Sequence, residues 1–238
     1  MIILAFDSTA KAASVAVSDG EHLLADYTVD NGLTQSELLL PMAEHVLASL
    51  KMSFDDVDIF ATAVGPGSFT GVRIGVSLVK GLAFAKDKPC ISVSTLEALA
   101  ENITPLEGIL VPVMDARRSQ VYTALFECDG KSAHRLSEDA AIPISELAKK
   151  LREHKGRTIY LAGDGYRAAK DGLAALDVVT ADTPELLLRE SAYSVARVAH
   201  RKHLSGDILT DSEISPTYLR VPQAERERLE REAEKTKK

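Results

Sequence analysis

The stretch Gly65-Pro66-Gly67-Ser68-Phe69-Thr70-Gly71 joins two segments with different periodicity. The apolar run before it, Val57 to Val64, predicts a buried strand, and the residues after it, Val72 to Lys86, predict a helix. A strand that leads through glycines into a helix start exposes backbone N–H groups that can bind phosphate. The spacing fits neither a Walker A loop nor the G-x-G-x-x-G fingerprint. A tight turn with Ser68 or Thr70 as the N-cap is the interpretation that local chemistry favours.

The residues upstream and downstream of this loop complete one structural unit. The run Ile2 to Phe6 is apolar and stops at Asp7-Ser8-Thr9, as a buried strand does. Asp19-Gly20 predicts a hairpin turn between the next two strands, and apolar residues at steps of three and four then predict an amphipathic helix. The predicted elements are strands at Ala13 to Val17, His22 to Val29 and Cys90 to Val93, and helices at Gln35 to Leu50 and Thr95 to Asn102.

The same order of elements recurs in the second half of the chain. An apolar strand ends at Asp115 as the first strand ends at Asp7, and a later strand closes on Gly163-Asp164-Gly165. We therefore predict an α/β fold of two lobes, in which duplicated mixed β-sheets are flanked by helices. The lobes are predicted at 1–104 and 105–222, before a charged tail at 223–238. The recurring elements are strands at Leu110 to Met114, Val121 to Glu127, around Arg135 and at Thr158 to Ala162, with helices at Ile144 to Leu151 and Ser191 to His203.

Composition excludes several classes of protein. The 238 residues are 45% hydrophobic and 26% charged, which is typical of a globular chain. The net charge of −7 provides no general basic field for nucleic acid, so RNA contact is expected to be local or indirect. Two cysteines, the absence of a signal-peptide pattern at the start and the absence of a long apolar run predict a cytoplasmic protein without a membrane span.

Acidic residues at equivalent strand ends suggest one kind of chemistry. Asp7 and Asp115 could face each other across an interlobe cleft and hold a metal and a water, as in two-lobed phosphotransferases. Together with Gly67, Gly163 and Asp164 they are weak candidates for a nucleotide site. Neither acid is followed by a glycine that would let phosphate approach the turn, and acids that cap turns are the commoner case.

Histidine spacing argues against a metal centre of the common kinds. The six histidines stand at 22, 45, 134, 154, 200 and 203, and no two are four residues apart. An H-E-x-x-H site is therefore excluded, and no organised Ser, His and Asp set is visible for a peptidase. Arg117, Arg118, Arg197, Arg201 and Lys202 are the candidates for RNA contact, although scattered surface cations usually serve solubility.

Both helices of the first lobe carry more apolar surface than one stripe requires. Leu38 and Leu40 lie outside the main stripe of the helix Gln35 to Leu50, and the helix Val72 to Lys86 is apolar or small nearly all round. Such a helix is covered either by the core on more than one side or by a partner. The core is the interpretation that the sequence favours.

Several motifs together resemble one family. The string from Gly65 to Gly75, set after the strand ending at Asp7-Ser8-Thr9, is similar to the bacterial TsaB (YeaZ) family. The resemblance continues in Asp115-Ala116-Arg117, in Gly163-Asp164-Gly165 and in Pro216-Thr217-Tyr218-Leu219-Arg220. Family members often have His-Ser-Glu where this chain has Gln35-Ser36-Glu37, so no role of that histidine is transferred.

The resemblance implies a fold of the actin, sugar-kinase and chaperone-ATPase superfamily and a noncatalytic role in forming threonylcarbamoyladenosine on tRNA. It implies a TsaD-like catalytic subunit and a TsaE-like ATPase as partners, self-association as a homodimer, and tRNA contact only through the complex. ATP and a metal would be used by the partners and none by this chain. A small ATPase or kinase that uses the interlobe cleft is the alternative. The implied interface lies on the two first-lobe helices, at Leu38, Leu39, Met42, Val46, Val72, Arg73, Val76 and Val79.

Overall fold

The computed structural model describes residues 1–220. The predicted charged tail, 223–238, and the last two residues of the predicted second lobe lie outside the described residues. None of the helices in the described part of the chain is long and apolar enough to cross a membrane.

The first lobe is a five-stranded sheet in the order β3-β2-β1-β4-β5. Its first three strands form an antiparallel meander, and β4 and β5 run parallel to β1. Its apolar strands have α1 and α2 on one face, where Phe6, Leu39 and Val76 share one core. The elements are β1 Ile2–Asp7, β2 Ala13–Asp19, β3 His22–Val29, α1 Gln35–Ser49, β4 Ile59–Ala63, α2 Phe69–Lys86, β5 Cys90–Val93 and α3 Thr95–Asn102.

The second lobe repeats this pairing pattern. Its first strand, β6, pairs antiparallel with the strands that follow it and parallel with β11, as β1 pairs with β2 and β4. The predicted duplication and the two-lobed fold class are therefore confirmed. The elements are β6 Gly108–Asp115, β7 Gln120–Thr123, β8 Phe126–Cys128, β9 Ala133–Arg135, β10 Ala140–Pro143, α4 Ile144–Arg152, β11 Ile159–Ala162 and α5 Tyr166–Ala174.

Two strands of the second lobe are interrupted, which the sequence did not predict. The strand expected at Val121 to Glu127 is divided into β7 and β8, which keep a single register against β6. At the break, the Leu125 N–H donates to the Ser137 hydroxyl at 2.9 Å. Ser137 itself lies in the loop that divides the third strand into β9 and β10. At this break in the backbone hydrogen-bond ladder, the Leu125 N–H is therefore satisfied by a side chain, that of Ser137.

The last helix, α6 Ala192–Leu204, returns to the first lobe. It packs on the face of the first sheet opposite to α1 and α2, against Ile3, Ile59 and Ile91. The next residues also lie on that lobe, where Leu209 and Cys90 exchange backbone hydrogen bonds of 2.8 and 2.9 Å. The predicted second lobe, 105–222, therefore differs from the structure in its last part, because the apolar face of α6 covers a sheet formed by residues far away in sequence.

Candidate functional site

The glycines of the loop after β4 serve close packing against the turn after β1. A Cβ atom on Gly67 would collide with the carbonyl oxygen of Thr9, and one on Gly71 with that of Ser8. The Ser68 N–H donates to the Thr9 carbonyl at 2.7 Å. The loop thus packs on the turn itself, and this geometry supports the turn interpretation of the glycines over phosphate binding.

Helix α2 begins three residues earlier than predicted, at Phe69 and not at Val72. Ser68 is the N-cap, and its hydroxyl accepts a hydrogen bond from the Gly71 N–H at 3.2 Å. The other candidate, Thr70, lies inside the helix. Because the helix starts early, its first turn reaches the boundary between the lobes.

A cleft of about 500 Å³ lies at this boundary. The Gln35 side chain lies at its edge and donates to the Ala10 carbonyl at 2.9 Å. The cleft combines cationic, acidic and aromatic side chains. Its lining includes Lys11, Gly67 and Phe69 from the first lobe, Asp115, Arg117 and Asp164 from the second, and Tyr218 and Arg220 from the last described segment.

Of the two acids predicted to face each other, Asp7 does not line the cleft. Its side chain is buried, and Oδ1 accepts hydrogen bonds from the Thr9 N–H at 2.9 Å and the Thr9 hydroxyl at 2.7 Å. Burial raises the pKa of Asp7 to about 6, and its Oδ2 has no hydrogen-bond partner within the described structure. Asp7 therefore holds the turn and leaves one buried oxygen unpaired.

The structure brings Asp115 and Asp164 together at the cleft. Asp164 Oδ1 accepts a hydrogen bond from the Asp115 N–H at 2.8 Å, and Asp115 Oδ1 accepts one from the Arg117 N–H at 2.7 Å. Burial raises the pKa of Asp164. Gly163 lies behind them with a φ of +113°, where a Cβ atom would collide with the Val113 carbonyl. Asp115, Gly163 and Asp164 thus support a turn, and Gly163 is not among the residues that line the cleft.

No pattern in the sequence marks Glu190, which lies beside this acidic group. Glu190 is buried, and Oε1 has no hydrogen-bond partner among the described residues. Burial raises its pKa to about 8, and the neighbouring carboxylates of Asp7 and Asp164 add to the rise. Within residues 1–220, no three His, Cys, Asp or Glu side chains are grouped to hold a metal ion. Burial thus favours the protonated form of Glu190 at neutral pH.

A second cavity, of about 520 Å³, is an open groove between α1 and α2. We call it the α1–α2 groove. Leu40, Ile74 and Leu78 provide its apolar wall, and Leu40 is 39% exposed. The polar end of the groove lies at the start of α2, where Thr70 and Arg73 line it beside the Phe69 ring.

Most of the predicted interface residues are in the core, and of the buried ones Leu39 alone also lines the groove. Six of the eight are at most 4% exposed, because they form the stripes that α1 and α2 turn toward the first sheet. Five of these six do not line the groove, so as contact residues they are not supported by this structure. Leu38 is half-buried and Arg73 is exposed. The six buried residues are Leu39, Met42, Val46, Val72, Val76 and Val79.

Three of the five basic candidates for RNA contact are engaged within the protein. Arg197 and Arg201 of α6 form ion pairs of 2.7 and 2.6 Å with the buried carboxylate of Glu101 in α3. Lys202 donates to the Ser92 carbonyl at 3.0 Å. These contacts hold α6 against the first lobe, which gives the cations a structural role.

Comparison with known proteins shows similarity along most of the chain. The family model described as TsaD, tRNA N6-adenosine threonylcarbamoyltransferase, matches residues 34–226. The TsaB protein of Bacillus subtilis, named for tRNA threonylcarbamoyladenosine biosynthesis, is 33% identical over 164 residues, which are 69% of this chain and 72% of that protein. The TsaB protein of Escherichia coli is 29% identical over 222 residues, which are 92% and 95% of the two chains.

Solved structures show the same fold. A Pseudomonas aeruginosa protein described as similar to peptidase YeaZ has a TM-score of 0.77 and 25% identity, and covers 92% of this chain and 99% of its own. YeaZ from Pseudomonas aeruginosa has a TM-score of 0.75 and 24% identity, with the same coverage.

Proposed function

Because the chain belongs to the TsaB (YeaZ) family, we propose that it takes part in tRNA threonylcarbamoyladenosine biosynthesis by binding and organising a TsaD-type transferase subunit. It does not catalyse the transfer itself. ATP and a metal are used by partner subunits, a TsaE-type ATPase joins the assembly, and tRNA meets this chain only within the complex. The protein works in the cytoplasm.

The α1–α2 groove is the observation that supports this proposal. Leucine and isoleucine side chains remain open to solvent there between two helices whose other faces are already packed on the sheet. Apolar area of this kind favours a protein partner, because burying it removes water from surface that is costly to hydrate. The match to the TsaD family model supports a partner that is built on the same lobe pattern. A second copy of this chain would use the same groove in a homodimer.

The acidic cluster supports a noncatalytic role. A phosphotransferase needs ionised carboxylates that face its metal and nucleotide. Here Asp7 is buried and bonded to its own turn, and Asp115 and Asp164 accept hydrogen bonds from backbone N–H groups. The glycine loop is packed on the turn after β1, which removes the space that a phosphate would take.

The interlobe cleft favours one alternative, a small ATPase or kinase. Its volume of about 500 Å³ and the presence of Lys11, Asp115 and Asp164 are compatible with a nucleotide. Under this alternative the isolated chain hydrolyses ATP, and Asp115→Asn abolishes the hydrolysis. Under our proposal the isolated chain produces no phosphate above the background of an Asp115→Asn variant.

Size-exclusion chromatography with light scattering tests the proposal directly. The chain is measured alone and mixed with a TsaD subunit from the same organism at micromolar concentration. The native chain should form a heterodimer, and Leu40→Glu should not, because it places a charge in the apolar wall of the groove. Ser77→Glu is a second variant at an exposed groove position that leaves the core untouched.

Leu186→Glu is the matched control, since this leucine is 91% exposed and lies outside the groove. It should bind the TsaD subunit like the native chain. A native chain that forms no heterodimer, with or without a TsaE subunit and ATP, contradicts the proposal. Equal binding by all three variants would show that the interface with the TsaD subunit lies outside the groove.

A further inference from the structure

The last described segment crosses from one lobe to the other. We call residues 215–220 the strap. It starts beside Ile214, which is buried in the first-lobe core, and the Thr217 N–H donates to the Val64 carbonyl at 2.8 Å. Its far end reaches the second lobe, where the Arg220 guanidinium donates to the Ala116 carbonyl at 2.7 Å. Because the strap lines the interlobe cleft, its position controls access to that cleft.

Three side chains hold the middle of the strap to α2. We call Phe69, Arg73 and Tyr218 the clasp. The Tyr218 ring stacks on the Phe69 ring with 4.9 Å between centroids, and Arg73 Nε donates to the Tyr218 hydroxyl at 2.8 Å. The Arg73 guanidinium also lies 3.8 Å from the centroid of the Phe69 ring. Each pair of the clasp is thus in contact, although Tyr218 is 42% exposed.

The clasp lies between the interlobe cleft and the α1–α2 groove. Phe69 lines both the interlobe cleft and the α1–α2 groove. Arg73 lines the groove, and Tyr218 lines the cleft. Tyr218 thus contacts both Phe69 and Arg73, the two clasp residues that line the polar end of the groove.

We propose that the clasp couples occupation of the α1–α2 groove to closure of the strap over the interlobe cleft. A protein partner that fits the groove binds the molecule with the clasp closed, since in that state Tyr218 holds Phe69 and Arg73 at the polar end of the groove. Binding is reciprocal, so a partner in the groove also holds the strap closed. The proposal rests on the proposed function, because the partner is the TsaD-type subunit.

Hydrogen exchange of the Thr217 amide measures the strap in the free protein. This amide is bonded to Val64, so it exchanges when the strap leaves the first lobe. Tyr218→Ala removes the clasp and should speed its exchange about tenfold. Tyr218→Phe keeps the ring stack and loses the hydroxyl, and should give an intermediate rate. Unchanged exchange in Tyr218→Ala, in a variant with native urea stability, would show that the clasp does not hold the strap.

Addition of the TsaD subunit measures the coupling. In the native complex the Thr217 amide should exchange about tenfold more slowly than in the free chain, and Tyr218→Ala should bind the subunit about tenfold more weakly. Leu40→Glu, a groove variant outside the clasp, should leave exchange in the free chain at the native rate. A native complex with unchanged Thr217 exchange overturns the coupling and leaves the proposed function standing.

Arg220→Ala distinguishes coupling from direct contact. Arg220 lines the cleft and not the groove, and it binds the strap to the second lobe. If the strap transmits the effect, this variant should weaken binding of the TsaD subunit severalfold while the groove stays intact. Native affinity in Arg220→Ala combined with weak binding in Tyr218→Ala would make Tyr218 a plain contact residue and refute the coupling. Failure of the native chain to bind the subunit at all refutes both the proposed function and the coupling.

Discussion

Glu190 should make the protein less stable as the pH rises, and Glu190→Gln should remove this dependence. The carboxyl group is buried, and Asp7 and Asp164 face it. Its pKa is about 8 in the folded chain and 4.5 when unperturbed. The folded state therefore binds the proton more tightly than the unfolded state. The stability from this proton is fully present below pH 4.5 and is lost as the pH rises through 8.

The magnitude follows from the same two pKa values. One pH unit corresponds to about 1.4 kcal/mol, so the whole loss between pH 4.5 and 8 is about 5 kcal/mol. Between pH 6 and pH 9 the free energy of unfolding should fall by about 3 kcal/mol, because the stability that titrates between pH 4.5 and pH 6 has already been lost at pH 6. Glutamine keeps the size of the side chain and carries no charge at any of these pH values, so the variant should not lose this energy.

Urea denaturation at several pH values between 6 and 9 measures the effect. The informative quantity is the difference in unfolding free energy between native chain and variant, because other titrating groups cancel in it. We expect the variant to be more stable than the native chain by about 2 kcal/mol at pH 6 and by about 5 kcal/mol at pH 9, a difference that grows by about 3 kcal/mol over this range. Glu107→Gln, at an exposed position, is the control for removing a carboxylate. A difference that stays the same from pH 6 to pH 9 would refute the reasoning, since Glu190 would then already be ionised in the folded chain at pH 6.

Three further outcomes are expected. Gly71→Ala should lower the free energy of unfolding by about 2 kcal/mol or more, because the new Cβ atom meets a backbone carbonyl. Gly81→Ala has open space around the new atom and should raise the free energy of unfolding by about 0.5–1 kcal/mol. Urea denaturation of both variants compares the two effects. Glu101→Gln should cost about 2 kcal/mol by breaking the ion pairs with two arginines of α6, and a lower thermal midpoint than that of Glu107→Gln checks this. Asp7→Asn should stabilise the chain at pH 8 by about 3 kcal/mol and hardly at pH 4, because burial raises the pKa of Asp7 from 3.8 to about 6; equal effects at both pH values would contradict this.

Local patterns in the sequence predicted the first lobe well. The strands His22–Val29 and Cys90–Val93 and the helix Thr95–Asn102 have the predicted bounds. Each is marked by a periodic run between turn-forming or capping residues, such as Ser94, whose hydroxyl caps α3. Such signals act within a few residues, so they do not need the rest of the fold. The repeat of the strand-end aspartate and of the Gly-x-Gly turn predicted the duplication for the same reason.

Contacts between distant residues were decided only by the tertiary structure. Periodicity identified the apolar stripes of α1 and α2, but it does not indicate whether a stripe packs against the sheet or against a partner. Leu39 and Val76 are therefore buried, and the open surface lies at Leu40 and Leu78 beside them. The packing of α6 on the first lobe could not be predicted either, because no local pattern indicates which sheet its apolar face covers.

The environment of the acids depends most on tertiary structure. Asp7 was visible in the sequence because it ends a strand, and Glu190 was not, because nothing around it marks burial. Their pKa values rise since the fold removes water from both carboxyl groups, and the carboxylate of Asp7 raises the pKa of Glu190 further. The sequence by itself determined the elements, the duplication and the family. The tertiary structure decided which side chains are exposed and which charges meet, because burial and electrostatic energy depend on distances between residues far apart in the chain.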